Sequence, residues 1–553
     1  MEMQPRTALI GESPLRRHAG WLLVALAYLY VFPYYERLNN PNENARVWMT
    51  RAIVEHHVLN IDATQREWGY VNDKATSGLH VYSGKAPGVS FLGVPVLMVH
   101  TGLRHLLRWG SPSKRQTTLW LRVFAVELPL CLFLYFFARY IEKVTGSPTA
   151  RDLLVVALGA GTLLYPYGVI FVGHSLAAAA AFSSYMLLSL EGASPLHPSG
   201  APAWSRGYEG EARQEALAWA GLLAGIAVIF EYQAVLVSIA LAGYAIARHG
   251  RRSPAFFVGT LPAVALLGLY HTVLFGRPWR FPFGNVENQE YLRTAHSAGF
   301  HGLALPKLSA IGSSLFAPDY GLFLFSPVLV IGAICAIIAV ARGPRREGIL
   351  IVSIALVMFL FLGGMSNWRA GWCVGPRYIA TVAPFLVAAI AHSWPAIRAN
   401  FVLSAMTAGL VVPSVVLNAV SAAVYPHYPV QFNNPVFDLA FPLLGDGHIP
   451  YNLGMLLGLP GLWSLLPLAL ALLLALSLSL GGEDPRPGRW GAHGLLVVMF
   501  AALFLLPLGR YGRQPSASET QATAQVRSLW EPALAEPPAA AVTQAPPPPA
   551  RRR

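Results

Sequence analysis

Apolar runs of about 20 residues recur along this chain, separated by short polar or basic connections, and a run of that length spans the bilayer as a helix. The first lies at about Trp21 to Tyr35. Others lie near 88–108, 119–141, 152–170, 172–190, 215–247, 254–275, 322–341, 347–364, 376–394, 401–424, 456–480 and 491–508. The pattern predicts an all-α polytopic membrane protein with roughly 11–13 transmembrane helices and a large first outer loop. Two runs carry breaks. Residues 152–190 are interrupted at Tyr165-Pro166-Tyr167-Gly168, and 215–247 holds Glu231, so it reads either as one tilted span or as two short helices. Residues 191–214 are rich in Gly, Pro, Ser and charge and read as a loop. Residues 1–20 read as a cytoplasmic tail. Residues 509–553, rich in Ala and Pro, read as a disordered tail because that composition buries no core.

Composition supports this class. Of 553 residues, 54% are apolar and 12% charged, against about 25% charged in a soluble domain. An Arg or Asp at the centre of a membrane helix costs about 2.5–3.5 kcal/mol on insertion scales, which keeps charge out of the spans. The net charge of +13 sits between the runs, at Arg16-Arg17, Arg104 to Arg115, Arg248 to Arg252 and Arg342 to Arg346. That is the positive-inside pattern of cytoplasmic connections, not a basic stripe for nucleic acid. Cys131, Cys335 and Cys373 are scattered and give neither a disulfide framework nor a metal spacing. With those basic connections inside, segments 36–86, 276–321, 365–375 and 425–455 fall on the opposite, periplasmic or extracellular face.

The first of these loops is the most polar stretch between spans, and candidate chemistry concentrates there. It opens Asn39-Asn40-Pro41-Asn42-Glu43-Asn44-Ala45-Arg46 and closes His80-Val81-Tyr82-Ser83-Gly84-Lys85-Ala86-Pro87-Gly88. Glu43, a few residues past the first span, suits a general base for an acceptor hydroxyl or amine. Arg46 follows at i+3, so a helix puts both on one face. Such a pair can equally be an ordinary surface ion pair. Lys85, at a Pro-Gly break entering an apolar run, suits a lipid-linked phosphate or a snorkelling anchor. Asp62 and Asp73 are further acids of the loop. Beyond it, Glu231 is an acid inside an apolar segment, either functional or bonded to a neighbouring helix. His174 follows Gly173 at an expected helix break and reads as a cavity residue or a packed histidine. Trp368-Arg369 and Pro376-Arg377-Tyr378 sit at an outer interface, where Arg serves as anchor or phosphate contact.

Taken in order, these segments resemble a family. The order is a signal-anchor helix, an outer loop with an early acid, a Lys-Ala-Pro-Gly segment and then many spans. It is similar to the polyprenyl-phosphate-sugar-dependent membrane glycosyltransferases of the GT-C fold, a group including protein O-mannosyltransferases, aminoarabinose transferases and lipopolysaccharide sugar transferases. Gly173-His174-Ser175-Leu176, Phe230-Glu231-Tyr232, Asp319-Tyr320-Gly321-Leu322-Phe323-Leu324-Phe325-Ser326-Pro327 and the stretch Asn367-Trp368-Arg369 to Pro376-Arg377-Tyr378 extend the resemblance over about residues 20–480. It implies a bacterial inner-membrane enzyme that moves a sugar, with inversion, from a polyprenyl-phosphate donor to a lipid, glycan or protein acceptor on the outer face. Glu43 takes the place of the catalytic acid. Lys85 contacts the donor phosphate, and Arg46, Asp73, His174, Glu231, Arg369 and Arg377 complete the substrate site. The sequence departs from the family's pair of adjacent acids, since Asn42 precedes Glu43. No metal ligand is assigned, and dependence on a divalent ion is left open. A transporter or lipid flippase, or a non-catalytic member of the family, is the alternative; a transporter requires repeats and midplane sites, and no repeat is visible.

Overall fold

A computed structural model describes residues 13–38, 40–190, 205–288, 299, 302–480, 490–509 and 514–530. The described chain is an α-helical bundle carrying two small two-stranded sheets. Seven helices are long and apolar enough to cross a membrane: Gly88–Leu106, Lys114–Thr145, Pro254–Phe275, Arg345–Gly364, Phe401–Ala423, Gly461–Ser479 and Trp490–Leu508. Gln214–Phe230, Val328–Arg342 and Arg377–His392 are shorter apolar helices. Helices Pro148–Gly159 and His174–Leu190 form the centre and are buried almost throughout. The alanine run of the latter, Ala177 to Ala181, leaves room for close approach by Ser205–Phe230. Helix Trp490–Leu508 is instead peripheral, with Leu495, Val498 and Leu503 facing outward as a lipid-facing helix requires.

Both interrupted runs break. Residues 152–190 divide into Pro148–Gly159, the short turn Leu164–Gly168 and His174–Leu190. The stretch 215–247 is two helices, ending at Phe230 and resuming at Val235, with Glu231 extended between them. Glycines permit this break to be buried. A Cβ at Gly88 would lie 2.7 Å from the Ile229 carbonyl, and one at Gly173 would lie 2.7 Å from the Glu231 carboxylate.

Two expected boundaries shift. The first helix runs Pro14–Tyr30, earlier than the apolar run at 21–35, so part of the expected cytoplasmic tail is helical. Ser13 caps it, and its first-turn arginines find acids: Arg16 pairs with Asp152 at 2.5 Å and Arg17 with Glu142 at 3.0 Å. The expected disorder of the C-terminal tail does not hold for its described part. Ala517–Ser528 is a helix with a Ser516/Glu519 capping box. Val526, Ala522 and Trp530 bury against the loops, giving the segment the apolar face that bulk composition concealed. Residues 191–204 and 531–553 lie outside the described residues; helix Ser205–Phe230 occupies the end of the stretch read as a loop.

The four segments expected on one face are joined to one another. In the first loop, helices Pro41–Glu55 and Asp62–Trp68 precede a hairpin of Lys74–Ser77 and His80–Ser83. The hairpin bonds the 276–321 segment through Thr76 N–H to the Asn285 carbonyl at 2.8 Å. Leu303 bridges Met365, Cys373 N–H donates to the Tyr428 carbonyl, and Val31–Phe32 pairs with Tyr451–Asn452. At the other end of the bundle, Arg248 pairs with Glu347 at 2.8 Å, joining two of the basic connections. The Arg104 to Arg115 connection, expected with them, instead meets the first-loop face, where Arg115 donates to the Tyr451 hydroxyl and Lys114 lies over the Trp48 ring.

Candidate functional site

The site grows from helix Pro41–Glu55. Asn40 caps it, accepting from the N–H groups of Asn42 and Glu43, and Pro41 takes the first helical position, where its missing donor costs nothing. This helix is polar in composition yet buried from Asn42 to Thr50, so its charged side chains need partners inside the protein. They find different ones. Glu43 and Arg46 do not pair with each other, although they are three residues apart. Glu43 receives Arg122 in a two-point grip, Nε to Oε1 at 2.7 Å and Nη2 to Oε2 at 2.8 Å, and the Phe171 N–H donates to Oε1 at 2.7 Å. Arg46 donates to the Asn42 carbonyl at 2.8 Å, to the Asn42 side chain, and to Glu231 at 2.7 Å. Both pairs are almost dry, with Arg122 and Arg46 each 1% exposed.

The Glu231 carboxylate thus meets a charge from another helix. His174 stands 3.5 Å from it and 3.4 Å from the Asn42 amide, with its ring edge-on to Tyr167 and Tyr378. Glu231, Arg46 and His174 form one buried polar unit behind the helix.

In front of it lies a cavity of about 350 Å³, a size that admits a small ligand. Lys85 and Asp73 enter from the first loop and Arg377 from the start of helix Arg377–His392, alongside Asn40, Asn42, Asn72, Asn288 and Asn367, with Trp372, Tyr378 and His427 also on the wall. Lys85 pairs with Asp73 and keeps part of its side chain accessible. Burial lowers the Lys85 ammonium, Asp73 opposes that, and Arg377 and Arg46 push further down, leaving it below the usual lysine range. Arg377 donates to the Ala370 carbonyl at 2.9 Å, while its Nε is buried with no hydrogen-bond partner. That carbonyl is aimed by a strained turn: Ala370 and Gly371 have φ of 58° and 74°, a left-handed geometry costly for alanine. Arg369 points elsewhere and pairs with Asp319, beside Trp368.

Lys85, Asp73 and Arg377 therefore share one cavity. Glu43 lies next to it, lining a separate void of about 10 Å³ with Arg122, Lys114 and Tyr35. Burial alone would raise the Glu43 carboxyl, but Arg122, the Phe171 N–H and His427 hold it below the ordinary glutamate range. Arg46, Glu231 and His174 support the cavity from behind, and Arg369 stands apart from it.

Sequence reasoning missed Arg122, His427 and the ring of asparagines. Arg122 carried a usable signal, a charge within the apolar run 119–141. His427 carried none, because only the chain's return over the first loop brings it there. A wider, open depression of about 440 Å³ is lined by Asp62, Gln65, Arg66, Tyr70, Lys74 and His80, with Lys74 already paired to Glu287 and His80 to Asp62.

A divalent ion would meet a single carboxylate in the main cavity among the described residues, Asp73, already on Lys85. The closest grouping of acids and histidine, Glu55, His56 and Glu67, surrounds Arg51, which pairs with both glutamates. Neither set fits a resident metal, and no step is routed through one.

No family model matches the chain, and no curated protein is significantly similar to it. Among solved structures, it is similar to ArnT from Cupriavidus metallidurans bound to undecaprenyl phosphate, with 16% identity over 88% of this chain and 77% of that one and a TM-score of 0.38. It is also similar to the Archaeoglobus fulgidus oligosaccharyltransferase tethered to an acceptor peptide, with 11% identity, 76% and 56% coverage and a TM-score of 0.46. The arabinosyltransferase EmbB of Mycobacterium smegmatis shares 12% identity over 96% of this chain and 44% of that one, with a TM-score of 0.38. The likeness is slight, and no residue's role is taken from it.

Proposed function

We propose that the chain is a membrane glycosyltransferase that takes its sugar from a polyprenyl-phosphate donor and passes it to a lipid, glycan or protein acceptor on the face carrying the first large loop. The observation behind this reading is the composition of the main cavity. Lys85 and Arg377 outnumber the one carboxylate, Asp73, so the cavity favours an anion, and Arg377 holds an unused donor. Asn72 lines the cavity and Asn40 keeps a buried amide nitrogen without a hydrogen-bond partner, groups suited to a polyol, and Trp372 and Tyr378 offer flat apolar surface for a sugar ring. Phosphate binding would displace Asp73 from Lys85, and the two cations would stabilise the charge that grows on the departing phosphate. Glu43, with both oxygens engaged by Arg122 and Phe171, acts as a fixed anion beside the reacting centre.

The test is a transfer assay with the purified full chain, a panel of polyprenyl-phosphate sugars and candidate acceptors, comparing wild type with Lys85→Ala, Arg377→Ala and Glu43→Gln. Transfer that is lost in the two cavity variants supports the reading. Full transfer in both removes the cavity as donor site.

A further inference from the structure

Between the main cavity and the void beside Glu43 stands one titratable side chain that lines both, His427. Leu38 and Asn40 are the other residues common to the two walls and neither titrates. His427 is 6% exposed, set edge-on to the rings of Tyr35 and Tyr425. On the cavity side it faces the group of Lys85, Asp73 and Arg377, and on the void side Glu43, Arg122 and Lys114. The void has roughly the volume of one water molecule, and Glu43 and the imidazole share its wall.

We infer that His427 receives the acceptor's proton, and that a phosphate lying against Lys85 and Arg377 makes it a better base for doing so. This deepens the glycosyl-transfer reading and rests on it. The acceptor oxygen forms the new bond to the sugar's anomeric carbon. The bond from that carbon to the phosphate oxygen breaks, and its electron pair leaves with the polyprenyl phosphate. The acceptor's proton passes to the neutral imidazole, and the imidazolium then returns it to the released phosphate, whose second ionisation lies near neutrality. Atoms and charge balance without any co-reactant.

The surroundings explain why a bound donor helps. In the empty cavity burial depresses the imidazole most, Glu43 opposes it, and Arg122 and Arg377 depress it further, leaving it at about 3. An imidazole that acidic is a poor base at neutral pH. A bound phosphate cancels much of Arg377's field while Glu43 keeps acting from the other side, so basicity rises when the donor arrives. Acceptor activation is thereby favoured in donor-loaded protein.

Two measurements on the full chain in lipid nanodiscs test this. The first follows the imidazole by ¹⁵N-histidine NMR, with His427 assigned by its absence in His427→Gln, in buffer, with inorganic phosphate and with a synthetic polyprenyl phosphate. The expected result is a rise of about one pH unit or more in the midpoint with the polyprenyl phosphate. The same rise with inorganic phosphate assigns the effect to the phosphate group rather than the lipid. Binding of polyprenyl phosphate with an unmoved midpoint overturns the inference alone. Absence of binding overturns the donor reading, and the inference falls with it. The second compares transfer by wild type, His427→Gln and His427→Asn. A loss of about 10²–10⁴-fold in kcat, with polyprenyl-phosphate affinity within about threefold and the acid limb of the pH profile gone, is expected. Unchanged kcat in either variant overturns the assignment.

Discussion

Two carboxylates of the same loop are each paired with a cation, and they are built for opposite purposes. Glu43 meets Arg122 in a dry, two-point grip, supplemented by a backbone N–H, next to a void that admits roughly one water. Asp73 meets Lys85 on the wall of the main cavity, with the carboxylate's side chain 30% exposed. A guanidinium fork holding a carboxylate in a dry site is geometrically fixed and difficult to exchange. An ammonium on a flexible stem, reached from an open cavity, can trade one anion for another. The loop thus separates permanence from exchange, and the contrast indicates where a charged ligand can enter.

The largest expected effect breaks the dry pair. Arg122→Ala strands a buried carboxylate and should destabilise the protein by about 3–5 kcal/mol, read as a fall in unfolding temperature in detergent. Glu43→Leu with Arg122→Met should recover much of that loss, and a single variant within about 1 kcal/mol of wild type would make the pair no different from a surface bridge. Next comes the exchangeable pair. Lys85→Ala should weaken polyprenyl-phosphate binding by about 10–100-fold, the worth of a charge-assisted hydrogen bond, with little change in unfolding temperature. If stability falls as far as for Arg122→Ala, the proposed division fails.

A third prediction concerns pH. Because the Lys85 ammonium lies below the usual lysine range, its charge, and with it anion binding, is present below that lowered value and is lost as pH rises through it. Binding should therefore fade below the ordinary lysine range, and Lys85→Arg should carry it to higher pH. For Glu43 the sign is reversed. Its carboxyl is held down by Arg122, so it contributes stability above the ordinary glutamate value that disappears as pH falls, an acid sensitivity that Glu43→Gln should remove. The smallest effect belongs to Arg527 and Asp446, both nearly half exposed. Asp446→Asn should cost no more than about 1 kcal/mol.

The membrane bundle was legible because hydrocarbon thickness and the cost of buried charge write themselves into run length and spacing. Even the break at Glu231 left a mark, since an acid within an apolar run needs either a partner or a break, and here it has both. Lys85 and Arg377, each expected at a span entrance near a proline, line one cavity. The partnership of Glu43 was not legible. Helical spacing suggested Arg46, but a fully buried helix has neighbours on every side, and Arg122 reaches Glu43 from 79 residues away. Local periodicity cannot see such a contact. His427 escaped for the same reason. The C-terminal helix was hidden by averaging, because the Ala- and Pro-rich composition of the tail masked a short capped segment with one apolar side.

That helix has a practical consequence. Arg527 contacts Asp446, Arg37 donates to the Ser528 carbonyl, and Trp530 stacks near Tyr35 and Tyr425, while Arg16 and Arg17 are bonded at the far end of the bundle. A reporter joined just beyond Trp530 would sample the compartment into which the main cavity opens, and one joined ahead of Ser13 would sample the other. A pair of fusions, one fluorescent only in cytosol and one active only after export, would orient the whole molecule without touching a residue of the cavity.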